Sequence, residues 1–244
     1  MEMITSSDNK RLKMVAKLRR RKTREKEGLF LTEGEDLLEA GLAAGWRPEV
    51  SLVAAGSGLD GEETDPGLLD SASSLGSGTR AIAIWPVRWS EVDEGTCIFL
   101  AGLSDPGNTG SIIRTTDALL EATVVIGPNG ADPFSPAAVR ASMGAIFSQA
   151  VARGDVGTTP TPRIGLVAEG GSEPVAPSGP VTLCLGSERE GLEPEVLNQC
   201  DERWTIPMRG GAAGSLNVAA AAAIACDRLR AVSNPAEMAG GGIG

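Results

Sequence analysis

Four short apolar runs recur in the second half of this chain: CIFLA at 97–101, ATVVIG at 122–127, RIGLVA at 163–168 and VTLCL at 181–185. Each is mostly apolar and without strict alternation, so a strand made of it needs cover on both faces. Loops bearing Gly or Pro and segments with helical spacing separate the runs. That order implies an α/β fold with a mostly parallel sheet and helices on both sides. In such sheets ligands bind at the carboxyl ends of the strands. Three loops gather there: one after residue 101, one after 185, and one after the strand-like residues 204–206.

The first half has the same character on a smaller scale. LFLTEG at 29–34, a helix over 36–44, a strand over 49–55, a Gly/Ser-rich stretch over 56–78 and a strand over 80–85 make a small α/β domain. Glu33 and Glu35 flank Gly34 at a strand-to-helix turn, where acids favour the positive end of the helix. Residues 86–95 form the expected boundary. The domain map is therefore a basic arm at 1–26, a small α/β domain at 27–88, a linker at 89–95, a larger domain at 96–232 and a frayed tail at 233–244.

Composition removes several chemistries. The chain has no His, which excludes Ser-His-Asp and Cys-His catalysis, His-ligated metals and a His general base. Cys97, Cys184, Cys200 and Cys226 lack CxxC spacing and read as free thiols in a reducing compartment, with no metal expected. No apolar h-region opens the chain and no run of eighteen apolar residues occurs, so no membrane association is expected and the cytoplasm is the expected location.

Charge is divided unevenly. Residues 1–26 carry ten basic side chains and three acidic ones, +7, whereas the remaining 218 residues hold twelve Arg, no Lys and 29 acids, −17. Leu12, Val15 and Leu18 recur at helical spacing, with Ser7 or Asp8 as a cap. The basic faces of that helix are suited to phosphate, and Lys10, Arg11, Arg19, Arg20, Arg21, Lys22 and Arg24 are the candidate contacts to RNA or DNA. A solvated helix that happens to be positive is the alternative.

The three loops differ in detail. After 101, GLSDPGNTGSIIRTTDALL turns through Pro106, Gly107 and Gly110, and a helix is expected near 109–111, with Asn108 beside its start and Arg114 on its first turns. After 204–206 comes a Gly/Ala-rich loop, then Ser215 as the expected N-cap of an alanine-rich helix. Between the first two, PAAVRASMGAIFSQAV at 136–151 reads as one helix, with Met143 and Phe147 packing on a shared face. A strand, a Gly-bearing loop and a helix form a generic anion or nucleotide site, yet GxGxxG and GxxxxGK[ST] are both missing.

Set side by side, NTGSIIRTTDA at 108–118, LCLGSEREGL at 183–192 and IPM at 206–208 followed by GSLNVAAAAAIA at 214–225 resemble the three ordered motifs of the SpoU/TrmH branch of the SPOUT RNA methyltransferases. VRASMGAIF at 139–147 resembles the segment between that family's first two motifs. Residues 6–45 are similar to its small ribosomal-protein-like substrate-binding domain. The resemblance implies a catalytic domain with a C-terminal trefoil knot, S-adenosylmethionine as cofactor, methylation of a ribose 2′-oxygen of rRNA or tRNA, and a homodimer whose subunits complete each site. By motif, it implies Asn108, Arg114, Glu188, Ser215 and Asn217 as catalytic residues. It places cofactor contacts around Leu185, Gly186, Ile206, Met208, Ser215 and Leu216.

Methyl transfer requires the acceptor oxygen aligned behind the methyl group and relieved of its proton. Glu188 is the intuitive base, although it could instead cap the following helix. The resemblance points to Arg114, which as a permanently charged guanidinium suits clamping a phosphate and polarising the hydroxyl, with the proton leaving through phosphate or water. The loop 209–214 is one residue longer than the family pattern, and a helix expected between 150 and 163 is short or absent. Arg140 and Arg153 are further RNA-facing options. The alternatives to an rRNA enzyme are a tRNA 2′-O-methyltransferase, a non-catalytic RNA-binding or assembly factor, and another nucleotide-binding α/β enzyme.

Overall fold

The structure is a computed structural model that describes residues 3–210 and 215–233. Positions 211–214 of the Gly/Ala loop, and 234–244 of the expected tail, lie outside the described residues. The chain forms two compact units, Met1–Arg88 with Asp132–Ser148, and Trp89–Ala131 with Gln149–Gly244.

The first unit begins with α1 (Lys10–Leu18) and α2 (Arg21–Glu27), followed by β1 (Leu29–Glu33), α3 (Glu35–Ala43), β2 (Val50–Ala54), β3 (Glu62–Thr64), α4 (Pro66–Ala72) and β4 (Ala81–Pro86). Its sheet runs β1-β4-β2-β3, antiparallel except for the parallel pair β2 and β3. The residues 1–26 are not a separate arm. Leu12, Val15 and Leu18 of α1 are buried in one core with Leu31, Leu52, Ile82 and Ile84, because their helical spacing puts all three on the face that meets the sheet. Asn9, rather than Ser7 or Asp8, caps α1 by accepting from the Arg11 N–H. The Gly/Ser-rich stretch hides β3 and α4, the latter capped by Asp65 with Pro66 at its first position.

Arg24 corrects the list of RNA contacts. It is 4% exposed, its Nε donates to Asp132 Oδ2 at 2.8 Å, and its Nη1 donates to the Leu18 and Arg19 carbonyls. Those carbonyls end α1 and would otherwise lack partners. Arg19 and Arg140 both pair with the buried Glu33, which also accepts from the Ser74 N–H. Glu33 therefore serves an ion-pair network rather than the end of α3.

The second unit takes over with β5 (Thr96–Leu100), α5 (Pro106–Leu119) and β6 (Ala122–Ile126), after which the first unit reclaims α6 (Pro136–Ser142) and a 3-10 turn, Ala145–Phe147. The single helix expected over 136–151 is broken because Met143 and Gly144 both adopt left-handed backbone, at φ 49° and 95°. Met143 is left exposed, while Phe147 packs among Phe30, Trp46 and Trp85, so the two do not share a face. The segment 132–148, expected inside the larger domain, belongs to the small one.

The second unit continues with β7 (Val151–Arg153), β8 (Arg163–Leu166), β9 (Thr182–Leu185), α7 (Pro194–Leu197), β10 (Glu202–Trp204) and α8 (Val218–Ser233). All six strands are parallel, in the order β10-β8-β9-β5-β6-β7. The centre is dry: Cys97, Ile98, Phe99 and Leu100 of β5 and all of β9 are buried, as an apolar run covered on both faces requires. Between 150 and 163 stand β7 and a 3-10 turn, Val156–Thr158, in place of a helix. Arg153 stacks on the Trp89 ring at 4.0 Å.

Candidate active site

The loops after β5, β9 and β10 lie at the carboxyl ends of parallel strands, and hydrogen bonds join all three. Asp105 caps α5 by accepting from the Gly107 N–H, with Pro106 at the first helical position. The helix therefore starts three residues earlier than expected and carries Asn108 in its first turn. Proline at N1 is a helix-start signal, but beside two glycines it reads as part of a turn.

At the other end, α8 is capped by Asn217 and not by Ser215. Asn217 Oδ1 accepts from the N–H groups of Ala219 at 2.9 Å and Ala220 at 3.3 Å. Its carbonyl is thereby committed to the helix, which leaves the amide nitrogen to face α5, and Nδ2 donates to Asn108 Oδ1 at 3.1 Å. Asn108 in turn donates from Nδ2 to Glu188 Oε1 at 2.6 Å. One helix cap thus sets the orientation of two amides, and the last of them holds a carboxylate. Glu188 does not cap a helix; the residue before α7 is Glu193.

Glu188 stands on a short hairpin after β9. Ser187 and Gly191 exchange two backbone hydrogen bonds, at 2.9 and 3.0 Å, around Glu188, Arg189 and Glu190. Gly186 admits this closure, since a Cβ there would lie 2.1 Å from the Gly191 carbonyl carbon. Gly191 itself adopts φ 71°.

Beside the hairpin lies a cavity of about 430 Å³, within the range of small-molecule sites. Leu185, Gly186, Ile206, Met208, Ser215 and Leu216, the six expected cofactor contacts, all line it, as do Glu188, Arg189 and Glu190. Sequence reading missed Leu166, Val167 and Leu197, which add apolar wall from β8, the loop after it and α7. It also passed over Arg189, although that residue sits inside the SEREGL motif.

Arg114 is exposed on α5, six residues beyond Asn108 and so about 9 Å further along the axis. It does not line the cavity, and among the described residues no side chain pairs with it. The site brings together Asn108, Glu188 and Asn217, with Ser215 on the cavity wall, and leaves Arg114 outside the set. No helix among the described residues is long and apolar enough to cross a membrane.

The SpoU rRNA Methylase family model matches residues 95–227, more than half of the chain. The chain belongs to the SpoU rRNA methylase family. A second model, the MRM3-like substrate binding domain, matches residues 9–81 of this SpoU-family chain. It is 28% identical to the 23S rRNA (guanosine(2553)-2'-O)-methyltransferase RlmP of Bacillus subtilis (strain 168), over 94% of this chain and 100% of that protein. To the 23S rRNA (uridine(2479)-2'-O)-methyltransferase of Streptomyces viridochromogenes it is 34% identical, over 52% of this chain and 50% of that one. Among solved structures, the AdoMet-bound rRNA methyltransferase from Sinorhizobium meliloti superposes with a TM-score of 0.83 at 26% identity, covering 94% of this chain and 97% of that one.

Proposed function

We propose that this chain methylates a ribose 2′-hydroxyl of ribosomal RNA, using S-adenosylmethionine, as a cytoplasmic homodimer. The observation that carries the reading is the hydrogen-bonded series Asn217, Asn108, Glu188 at the rim of a cavity lined by all six expected cofactor contacts. The lining fits the cofactor: apolar walls from Leu166, Leu185, Leu192, Ile206 and Leu197 for an adenine, and carboxylates of Glu188 and Glu190 for a sulfonium and an ammonium. When bound, the cofactor supplies an electrophilic methyl group.

The side chains of this chain supply position and charge. Glu188, held by Asn108, keeps a fixed acceptor beside the cavity, and positioning of this kind supplies much of the rate in such reactions. Arg114 has the charge to hold the target phosphate and polarise the 2′-hydroxyl, with the proton leaving through phosphate or water. Its absence from the cavity lining supports the dimer, in which a second copy would complete the site. Ile224, exposed on α8, offers that copy an apolar contact. A trefoil knot fits the placement of the described elements, with β10 at the edge of the sheet and α8, next in sequence, packed against α5.

The test is transfer of labelled methyl from S-adenosylmethionine to purified rRNA and tRNA. Transfer to rRNA is expected, abolished or reduced by roughly 100-fold in Arg114→Ala. Transfer to tRNA alone would replace the substrate; an inactive wild type that still binds RNA would make this a non-catalytic factor.

A further inference from the structure

Arg189 is the only basic side chain among the described residues that line the cavity, and it is exposed at the tip of the hairpin between Glu188 and Glu190. Among the described residues it has no hydrogen bond or ion pair, although acids flank it on both sides. Of its neighbours, Glu188 accepts from Asn108 through Oε1, and Glu190 is held through its backbone N–H, which donates to Ser187 Oγ. The hairpin that carries it is closed by two backbone hydrogen bonds and by the Gly186–Gly191 contact, so the guanidinium projects from a fixed base.

Among the described residues, the charges of the lining are two carboxylates and one guanidinium. S-adenosylmethionine carries the complement: a sulfonium and an α-ammonium, both positive, and one carboxylate. A phosphodiester offers only negative charge, which the two carboxylates beside Arg189 would repel. We propose that Arg189 binds the α-carboxylate of the cofactor's amino-acid end, and so selects the intact cofactor over analogues lacking that group. Guanidinium and carboxylate match as a two-point hydrogen-bonded pair, which a lysine does not reproduce.

The inference rests on S-adenosylmethionine being the ligand of this cavity, and the experiment separates the two claims. Calorimetry on the RNA-free protein compares S-adenosylmethionine with decarboxylated S-adenosylmethionine, which keeps the sulfonium and the amine. Wild type is expected to prefer the intact cofactor. Arg189→Ala should weaken it by roughly 10- to 100-fold while leaving the decarboxylated analogue within about twofold, which also shows that the variant's cavity is intact. Arg189→Lys should fall between. Equal losses for both ligands, or no loss for either, would overturn the assignment. So would a variant that binds RNA more weakly but the cofactor as before, because the anion would then be a phosphate. A wild type that binds neither compound would sink the cofactor itself and this assignment with it.

Discussion

Asn108 donates to Glu188 across eighty residues of sequence, at 2.6 Å, and can do so only because Asn217 has already taken up its carbonyl. The arrangement makes Asn217 serve two purposes that substitution can separate. Asn217→Asp keeps an oxygen for the α8 cap, so the melting temperature should hold, but it removes the N–H donor to Asn108 and methyl transfer should fall. Asn217→Ala removes both and should also cost ~1 kcal/mol of stability. Thermal melts and single-turnover methyl transfer on the two variants check this; equal activity in Asn217→Asp and wild type would show that the amide series is incidental.

Gly186 is the narrowest point of the hairpin. A methyl group there meets the Gly191 backbone, which has no flexible end to yield. Gly186→Ala should therefore displace Glu188 and Arg189 together, cost on the order of 1–3 kcal/mol, and weaken cofactor binding. Urea unfolding and calorimetry report the two losses independently.

The basic helices divide into structural and solvent-facing cations. Arg24→Ala would leave Asp132 buried without its partner, a change expected to cost about 3–5 kcal/mol. Lys10, Arg20 and Lys22 are exposed, and among the described residues they form no ion pair. Replacing Arg20 or Lys22 by Ala should leave stability unchanged, weaken RNA binding, and lower the salt dependence of that binding by about one phosphate each. Filter binding at several salt concentrations distinguishes these residues from Arg24.

Alkaline pH should destabilise the fold through two buried thiols, Cys97 and Cys226. Burial, reinforced by Asp93, pushes the Cys97 thiol up to about 11, and burial pushes Cys226 up to about 12, from an ordinary value of 9.0. Between pH 9 and 11 the unfolded chain loses these protons while the folded chain keeps them, so stability falls as pH rises through that window. The chain has no Tyr to titrate there. Urea midpoints measured from pH 8 to 10.5 should decline, and less steeply in a Cys97→Ala, Cys226→Ala variant.

Much of this was legible from the residues alone. The apolar runs at 97–101, 122–127 and 181–185 became β5, β6 and β9 with each boundary within about one residue, since a strand covered on both faces leaves a local signature. Where the signal was local but ambiguous, the reading slipped. Pro106 opened a helix while reading as a turn, Pro66 opened another inside a stretch read only as Gly/Ser-rich, and Met143–Gly144 ended a helix that looked continuous. The three-residue strands β3, β7 and β10 are too short to carry a period of their own.

The sequence by itself determined the α/β class, the three loops at one end of a parallel sheet, and the residues that would line a ligand site, because each depends on hydrophobic pattern or on motifs a few residues long. Only the tertiary structure decided that Asn217 caps α8 while orienting Asn108, that Arg24 is sealed against Asp132 rather than offered to RNA, and that Arg114 stands apart from the cavity. The first two facts turn on hydrogen bonds between residues 109 and 108 apart. Where such distant segments meet is set by how the chain packs, which no local spacing encodes.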